Sequence, residues 1–248
     1  MEMQKLTYLE FQKFVSEAPI AILPIGAVEA HGPHLPIGTD NYLAERLSNK
    51  VAEKIDALVM PTFSYGQVWS LRNVDGSINV SNKHLIGILT DIGKSLYKSG
   101  IRYFIIINTH VGNTNAIKEA ARNLYDLYED LKVLYFIYPG TEKIIEEVRE
   151  SKPIPGGYFH ACEIETSYML YLAPEYVKMD KALDDFPDLP EDFHYTPTPW
   201  EKITDTIVLG KATLATKEKG KKIIDVAVET IVKVIKNVQR QQRRDQND

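Results

Sequence analysis

Four short apolar runs, at 20–28, 57–63, 101–108 and 132–138, alternate with stretches whose apolar residues recur at helical spacing. Unbroken apolar runs of that length fill strands buried on both faces, and strands linked by helices pair in parallel. The predicted fold class is therefore α/β: a mostly parallel central sheet with helices on both faces, a three-layer α/β/α sandwich. Helices are predicted at 6–16, where Thr7 is placed to cap, and at about 41–55 on the stripe Leu43, Leu47 and Val51. Further helices are predicted at about 83–99 between Ser81 and Gly100, from Asn113 or Thr114 to about 129, at 163–172 and at 217–239. A charged, exposed helix is expected at 141–151 and a short strand at 207–210. The acidic, proline-rich stretch 180–200 reads as an extended surface excursion. With no repeat or linker, residues 1–248 are expected to form one domain.

Cys162 is the only cysteine, so an internal disulfide is excluded. No apolar run approaches a membrane span, the start Met-Glu-Met-Gln-Lys lacks signal-peptide character, and a cytoplasmic location is expected. The formal charge of −5, with no basic face before the tail at 236–248, argues against a nucleic-acid binder. The tail reads as a frayed helix end.

The chemistry collects where predicted strands give way to loops, as expected for such folds. After the first strand, Glu29, His31, His34 and Asp40 fall within twelve residues, separated by Gly32, Pro33, Pro36 and Gly38. In extended chain Glu29 and His31 share a side, and the turn residues can return Asp40 to the same point. Tyr65 and His110 stand at two further strand ends, and Gly112 lets the backbone pass close to a ligand. In 160–167, His160, Glu163 and Ser167 would share one helix face, with Glu165 pointing elsewhere. Taken singly, these are polar loop residues, a capping Asn113 and a helix-terminal acid. Together, Glu29, His31, Asp40, His110 and Glu163 offer three carboxylates and two imidazoles, enough for two Zn, Mn or Fe ions bridged by Asp40, the acid in the most rigid loop. His160 is then the proton donor to a leaving nitrogen.

The motifs at 23–40 (Leu-Pro-Ile-Gly-Ala-Val-Glu-Ala-His-Gly-Pro-His-Leu-Pro-Ile-Gly-Thr-Asp), 108–113 (Asn-Thr-His-Val-Gly-Asn) and 160–167 (His-Ala-Cys-Glu-Ile-Glu-Thr-Ser) resemble those of the creatininase family. Weaker matches at Tyr65-Gly66, 75–78 and 210–220 extend the resemblance over 20 to about 220. It implies an α/β/α fold often assembled as a hexamer, and a two-metal site that opens cyclic or linear amides. By position it implies Glu29, Asp40 and His110 on one ion and His31 with Asp40 on the other. It also implies a small-molecule amide substrate held by Tyr65, Trp69, Ser77, Val111, Gly112 and Phe159.

Two departures follow. Creatininase proper places a metal-binding glutamate where this chain has Gly112, so Glu163 is expected to be the substitute ligand and to share the catalytic work with His160. Tyr158 and Phe159 stand where creatininase proper has tryptophan walls, which counts against creatinine as substrate. Branches that keep the glycine resemble this chain in that respect: a deformylase of a formamidopyrimidine nucleotide, favoured here with Arg72 and Lys83 as phosphate contacts, and a cofactor-precursor peptidase. The alternative of another class is a non-catalytic metal- or ligand-binding α/β module, for which a ligand lost at Gly112 would be the sign. A nucleotide-binding Rossmann domain is disfavoured by the absence of a Gly-x-Gly-x-x-Gly or a phosphate loop.

Overall fold

The computed structural model describes residues 1–245; the last three residues of the expected frayed tail lie outside them. The elements in order are α1 (Tyr8–Glu17), β1 (Ile20–Ile25), α2 (Thr39–Ala52), β2 (Leu58–Val59), α3 (Asn82–Lys98), β3 (Tyr103–Asn108), α4 (Thr114–Leu127), β4 (Lys132–Phe136), α5 (Glu142–Val148), α6 (Glu163–Leu172), β5 (Asp184–Asp185), β6 (Gly210–Lys211) and α7 (Lys217–Asp245). Short 3₁₀ turns join several of them.

The first four strands form one parallel sheet in the order β2-β1-β3-β4. The two central strands are buried along their whole length, as their unbroken apolar runs require. Alternate residues then feed opposite layers. Ile20, Ile22, Ile105 and Ile107 pack with α2, α6 and α7, while Ala21, Leu23, Phe104 and Ile106 pack with α3 and α4. The three-layer α/β/α architecture is the expected one.

Local chemistry accounts for the boundaries. Thr7 caps α1 in a reciprocal capping box with Glu10. The second strand is shorter than its apolar run, because Pro61 carries no N–H; pairing resumes at Phe63, which donates to the Pro24 carbonyl. In α7 the buried stripe is Ile223, Ile224, Ala227, Val228, Ile231, Val232 and Ile235, with Val226 and Val234 half-buried. Where α7 crosses α6, a Cβ on Gly220 would sit 1.8 Å from the Ser167 carbonyl oxygen, so the crossing demands glycine. No helix among the described residues is long and apolar enough to cross a membrane.

The acidic excursion is tied down rather than free. β5 pairs antiparallel with β6. Asp185 Oδ2 accepts from the hydroxyls of Thr204 (2.7 Å) and Thr206 (2.6 Å), and Asp184 accepts from Thr213. Held at both ends, the segment lays Trp200 edge-on against His160, with ring centroids 5.3 Å apart.

Candidate metal centre

The carboxyl ends of β1 and β3 are adjacent in the sheet, so the loops that follow them meet. The first loop is closed by the Glu29 N–H, which donates to the Ile37 carbonyl at 3.0 Å, placing Glu29 beside the start of α2. Asp40 lies in the first turn of α2 rather than in the loop. There the Thr109 hydroxyl donates to its carbonyl at 2.7 Å. Beyond β3, the Asn108 side chain accepts from the His110 N–H and donates to the His110 carbonyl. Asn113 makes no cap on α4. Its amide donates to the Gly26 carbonyl and to Asn108, and its oxygen accepts from Gln67 N–H, so it knits three loops together.

The side chains converge tightly. Nδ1 of His110 lies 3.1 Å from Glu29 Oε1 and 3.1 Å from Asp40 Oδ2. Nε2 of His31 lies 3.6 Å from Asp40 Oδ1 and 3.7 Å from Glu165 Oε2. Asp40 thus turns one oxygen to each histidine. Among the described residues, the sets Glu29–Asp40–His110 and His31–Asp40–Glu165 each place their donor atoms close enough to share an ion, and Glu29–His31–His160 forms a third, overlapping set. All of these side chains are buried.

Each histidine is oriented by a backbone carbonyl. Nδ1 of His31 bonds the Glu29 carbonyl (3.1 Å), Nε2 of His110 that of Gln67 (2.7 Å), and Nε2 of His160 that of Ala30 (2.7 Å). A carbonyl only accepts, so the bonded nitrogen carries the hydrogen and the other ring nitrogen turns a lone pair toward the carboxylates. Lone pairs facing anions in a buried cluster call for a cation between them. Nε2 of His31 and Oδ2 of Asp40 have no hydrogen-bond partner among the described residues.

The titration behaviour carries the same message. Burial opposes charge on Glu29, but the neighbouring His110 holds its carboxyl at about 2. Burial likewise opposes a charged His31, yet Glu165 and Asp40 raise it to about 10. His110 is raised well above its ordinary value against burial by Glu29 and Asp40. Burial, with His31 next, lowers His160, and burial takes His34 down to about 4. With no ion bound, protons on His31 and His110 balance the carboxylates. A divalent ion at each position would replace them.

Several expectations are corrected. Glu163 is not at the cluster. Its carboxylate accepts from the backbone N–H groups of Glu150 (3.0 Å) and Ser151 (2.9 Å) and pairs with Lys219 at 2.6 Å. Its carboxylate therefore faces Lys219 and not the histidines of the cluster. Glu165 stands in the cluster instead, its Oε2 accepting from the Ala161 N–H at 2.6 Å. Helical spacing counted from His160 misled because His160 is not helical. It bridges Leu209, Ala161 follows with a φ of +49°, and α6 begins only at Glu163. Tyr65 and Ser77 do not line the cavity beside the cluster. Ser77 stands behind it, accepting from the Ala30 N–H at 3.1 Å and steadying the Glu29–Ala30 peptide, whose carbonyl orients His31.

Trp69, Val111, Gly112 and Phe159 do line that cavity, of about 430 Å³, together with Tyr138, Tyr158 and Trp200. No Lys or Arg is on its wall among the described residues. Arg72 instead stacks on Trp69, 4.1 Å from the ring centroid, and donates to the Trp69 carbonyl; Lys83 is an exposed residue of α3. Gly112 has no room for any side chain, since a Cβ would meet the Gln67 carbonyl oxygen at 2.2 Å. The glycine is what lets Gln67 reach His110, a packing reason for glycine at this position. A larger cleft of about 560 Å³, lined by Lys54, Arg102, Asp130 and Lys236, brings together no comparable donor set among the described residues.

The chain matches the family model described as Creatininase: Creatinine amidohydrolase over residues 4–235. It is 29% identical over 246 residues to a creatinine amidohydrolase of Pseudomonas putida, covering 94% of this chain and 95% of the relative. It is 25% identical over 257 residues to a 3-dehydro-scyllo-inosose hydrolase of Thermotoga maritima, covering 95% of this chain and 82% of the relative. A solved mutant creatininase of the Zn-Zn type superposes with a TM-score of 0.84 at 29% identity, covering 95% of this chain and 97% of that one.

Proposed function

Because the chain belongs to the creatininase family, we propose that it is a metal-dependent amidohydrolase that hydrolyses a C–N bond of a small amide at a pair of divalent ions. One observation carries the reading: three buried histidines, each bonded through one nitrogen to a carbonyl, turn the other toward Glu29, Asp40 and Glu165. Glu29, Asp40 and His110 would hold one ion, and His31, Asp40 and Glu165 the other, with Asp40 giving an oxygen to each. When bound, such ions polarise the scissile carbonyl and acidify water.

The protein's own residues do the rest. Trp69, Phe159 and Trp200 exclude water from one side of the substrate and give it an apolar wall. His160 is lowered by burial and so is neutral near pH 7; its Nδ1 takes a proton from the attacking water and returns it to the departing nitrogen.

The cavity favours a substrate without phosphate. A formamide or lactam on a neutral ring suits its apolar wall, whereas a nucleotide phosphate would meet no Lys or Arg on that wall among the described residues. A homo-oligomer, as large as a hexamer, belongs to the same proposal. Ile37 and Ile78, on neighbouring loops and about half exposed, are apolar surface such an assembly would cover. A cytoplasmic setting suits the unpaired Cys162.

The test is metal analysis of the purified chain with a hydrolysis screen of creatinine, a formamidopyrimidine nucleotide and short peptides. The expected result is about two equivalents of Zn, Mn or Fe and hydrolysis abolished by a chelator. A folded chain that takes up no divalent ion would overturn the reading.

A further inference from the structure

His34 belongs to none of the ligand sets found among the described residues, yet it is as deeply buried as their members. Its backbone is fixed on both sides. Gly32, at a φ of +62°, turns the chain before it, and the His34 carbonyl accepts from the Lys178 N–H at 2.9 Å. Its Nε2 lies 2.8 Å from the Thr166 hydroxyl oxygen, which joins the loop after β1 to the first turn of α6. Both residues are buried, so breaking this contact would strand a polar atom in the core.

The hydrogens run in one direction. The Thr166 hydroxyl donates its single hydrogen to the Ala161 carbonyl at 3.3 Å. Its oxygen therefore accepts from His34, which carries its own hydrogen on Nε2. Nδ1 of His34 is left with a lone pair and has no partner among the described residues. The contact ends on Ala161, whose φ of +49° is costly for any residue with a side chain. Both backbone polar groups of Ala161 are held. Thr166 donates to its carbonyl, and its N–H donates to Glu165 Oε2 at 2.6 Å. This strained residue delivers Glu165 to the cluster and follows directly on His160, which stays bridged to Leu209.

We propose that His34 is a positioning residue for the ion that His31, Asp40 and Glu165 would hold: through Thr166 it fixes Ala161, and through Ala161 the Glu165 carboxylate. The inference rests on the two-ion part of the reading above and not on hydrolysis. One loop thus supplies a ligand from His31 and, three residues later, orients the ligand that faces it from α6. The set Glu29, Asp40 and His110 is anchored elsewhere, by Asn108, Thr109 and Gln67. Losing the His34 hydrogen bond should therefore weaken one ion and spare the other.

The test is zinc titration of the metal-free chain carrying His34→Leu, which keeps bulk and loses the donor, or His34→Gln, which keeps an N–H. In His34→Leu the affinity for one zinc ion is expected to fall about 10–100-fold, with the other within a few-fold of wild type. His34→Gln is expected to regain most of that loss. Glu165→Gln identifies the ion: adding His34→Leu to it should leave the affinity of the remaining zinc unchanged. Should His34→Leu fail to fold, Thr166→Val breaks the same contact from the other side and should weaken the same ion. Where both fold, the double variant should be no worse than either alone. A role confined to packing would lower the melting temperature of the metal-free chain and leave both affinities alone, or weaken both alike. Either result would overturn the assignment while two ions in wild type left the amidohydrolase reading standing. A wild-type chain that binds two zinc ions, loses one selectively in His34→Leu and hydrolyses no amide would sink that reading and keep His34 in its role.

Discussion

His110 donates from Nε2 to the carbonyl oxygen of Gln67 at 2.7 Å, and this bond decides which nitrogen faces Glu29 and Asp40. The contact exists because Gly112 leaves space for it. Gly112→Ala must displace either Gln67 or the His110 ring. The variant is expected to lose about 1–3 kcal/mol of stability and to bind metal about 10–100-fold more weakly. Thermal denaturation and metal titration check both, and an unchanged metal affinity in folded Gly112→Ala would remove the glycine from the account.

Asp40 presents Oδ1 toward His31 and Oδ2 toward His110. If it is shared between two ions, Asp40→Ala should release both together rather than one. Elemental analysis of the folded variant decides this, and retention of one full equivalent would contradict a bridge.

Glu163 and Glu165 are two residues apart and should behave in opposite ways. Glu165→Gln is expected to lower metal content from about two equivalents to about one while leaving the fold intact. Glu163→Gln should keep both ions yet lose roughly 3 kcal/mol, because it breaks the buried pairing with Lys219. Metal content and denaturant melts on the two variants check the contrast, and loss of an ion from Glu163→Gln would reinstate that residue as a ligand.

The same pair predicts a pH dependence. Burial works to raise the Glu163 carboxyl, but Lys219 and the Ser151 and Glu150 amides outweigh it, leaving it below its ordinary 4.5. The folded state therefore binds this proton less readily than the unfolded chain. Its contribution is fully present above about pH 4.5 and is lost as pH falls through the lower folded value. Lys219, raised above its ordinary 10.5, contributes below that value and loses its share as pH rises through the folded one. Melting temperatures of wild type and Glu163→Gln should differ most near neutral pH and converge in acid. A difference that grows in acid would contradict the sign.

Trp200 lies edge-on to His160 and walls the cavity. Trp200→Ala should raise KM about tenfold or more with metal content unchanged, since apolar contact to substrate is lost while the ligands stay. Steady-state kinetics checks this, and an unaltered KM would place Trp200 outside the substrate's reach.

Much was legible in the chain order alone. Short apolar runs separated by helical periodicities dictate a parallel sheet, because a strand buried on both faces has no polar side to show to water. That in turn places Glu29 and His110 at the same sheet edge, since parallel strands end together. The crowding of His31 and Asp40 near Glu29 was equally visible, because only a few residues and their turn-forming prolines and glycines separate them.

What tertiary structure alone decided lies where backbone conformation escapes periodicity. Glu165 enters the cluster and Glu163 leaves it because Ala161 takes a left-handed turn and the helix starts two residues later. Gly112 is compulsory because a carbonyl from residue 67 arrives beside it. Trp200 covers His160 because threonine hydroxyls forty-odd residues downstream of the site tie the excursion back onto Asp185. Repeating patterns report a segment's own geometry. Which distant atom fills the space beside it is settled only when the layers pack.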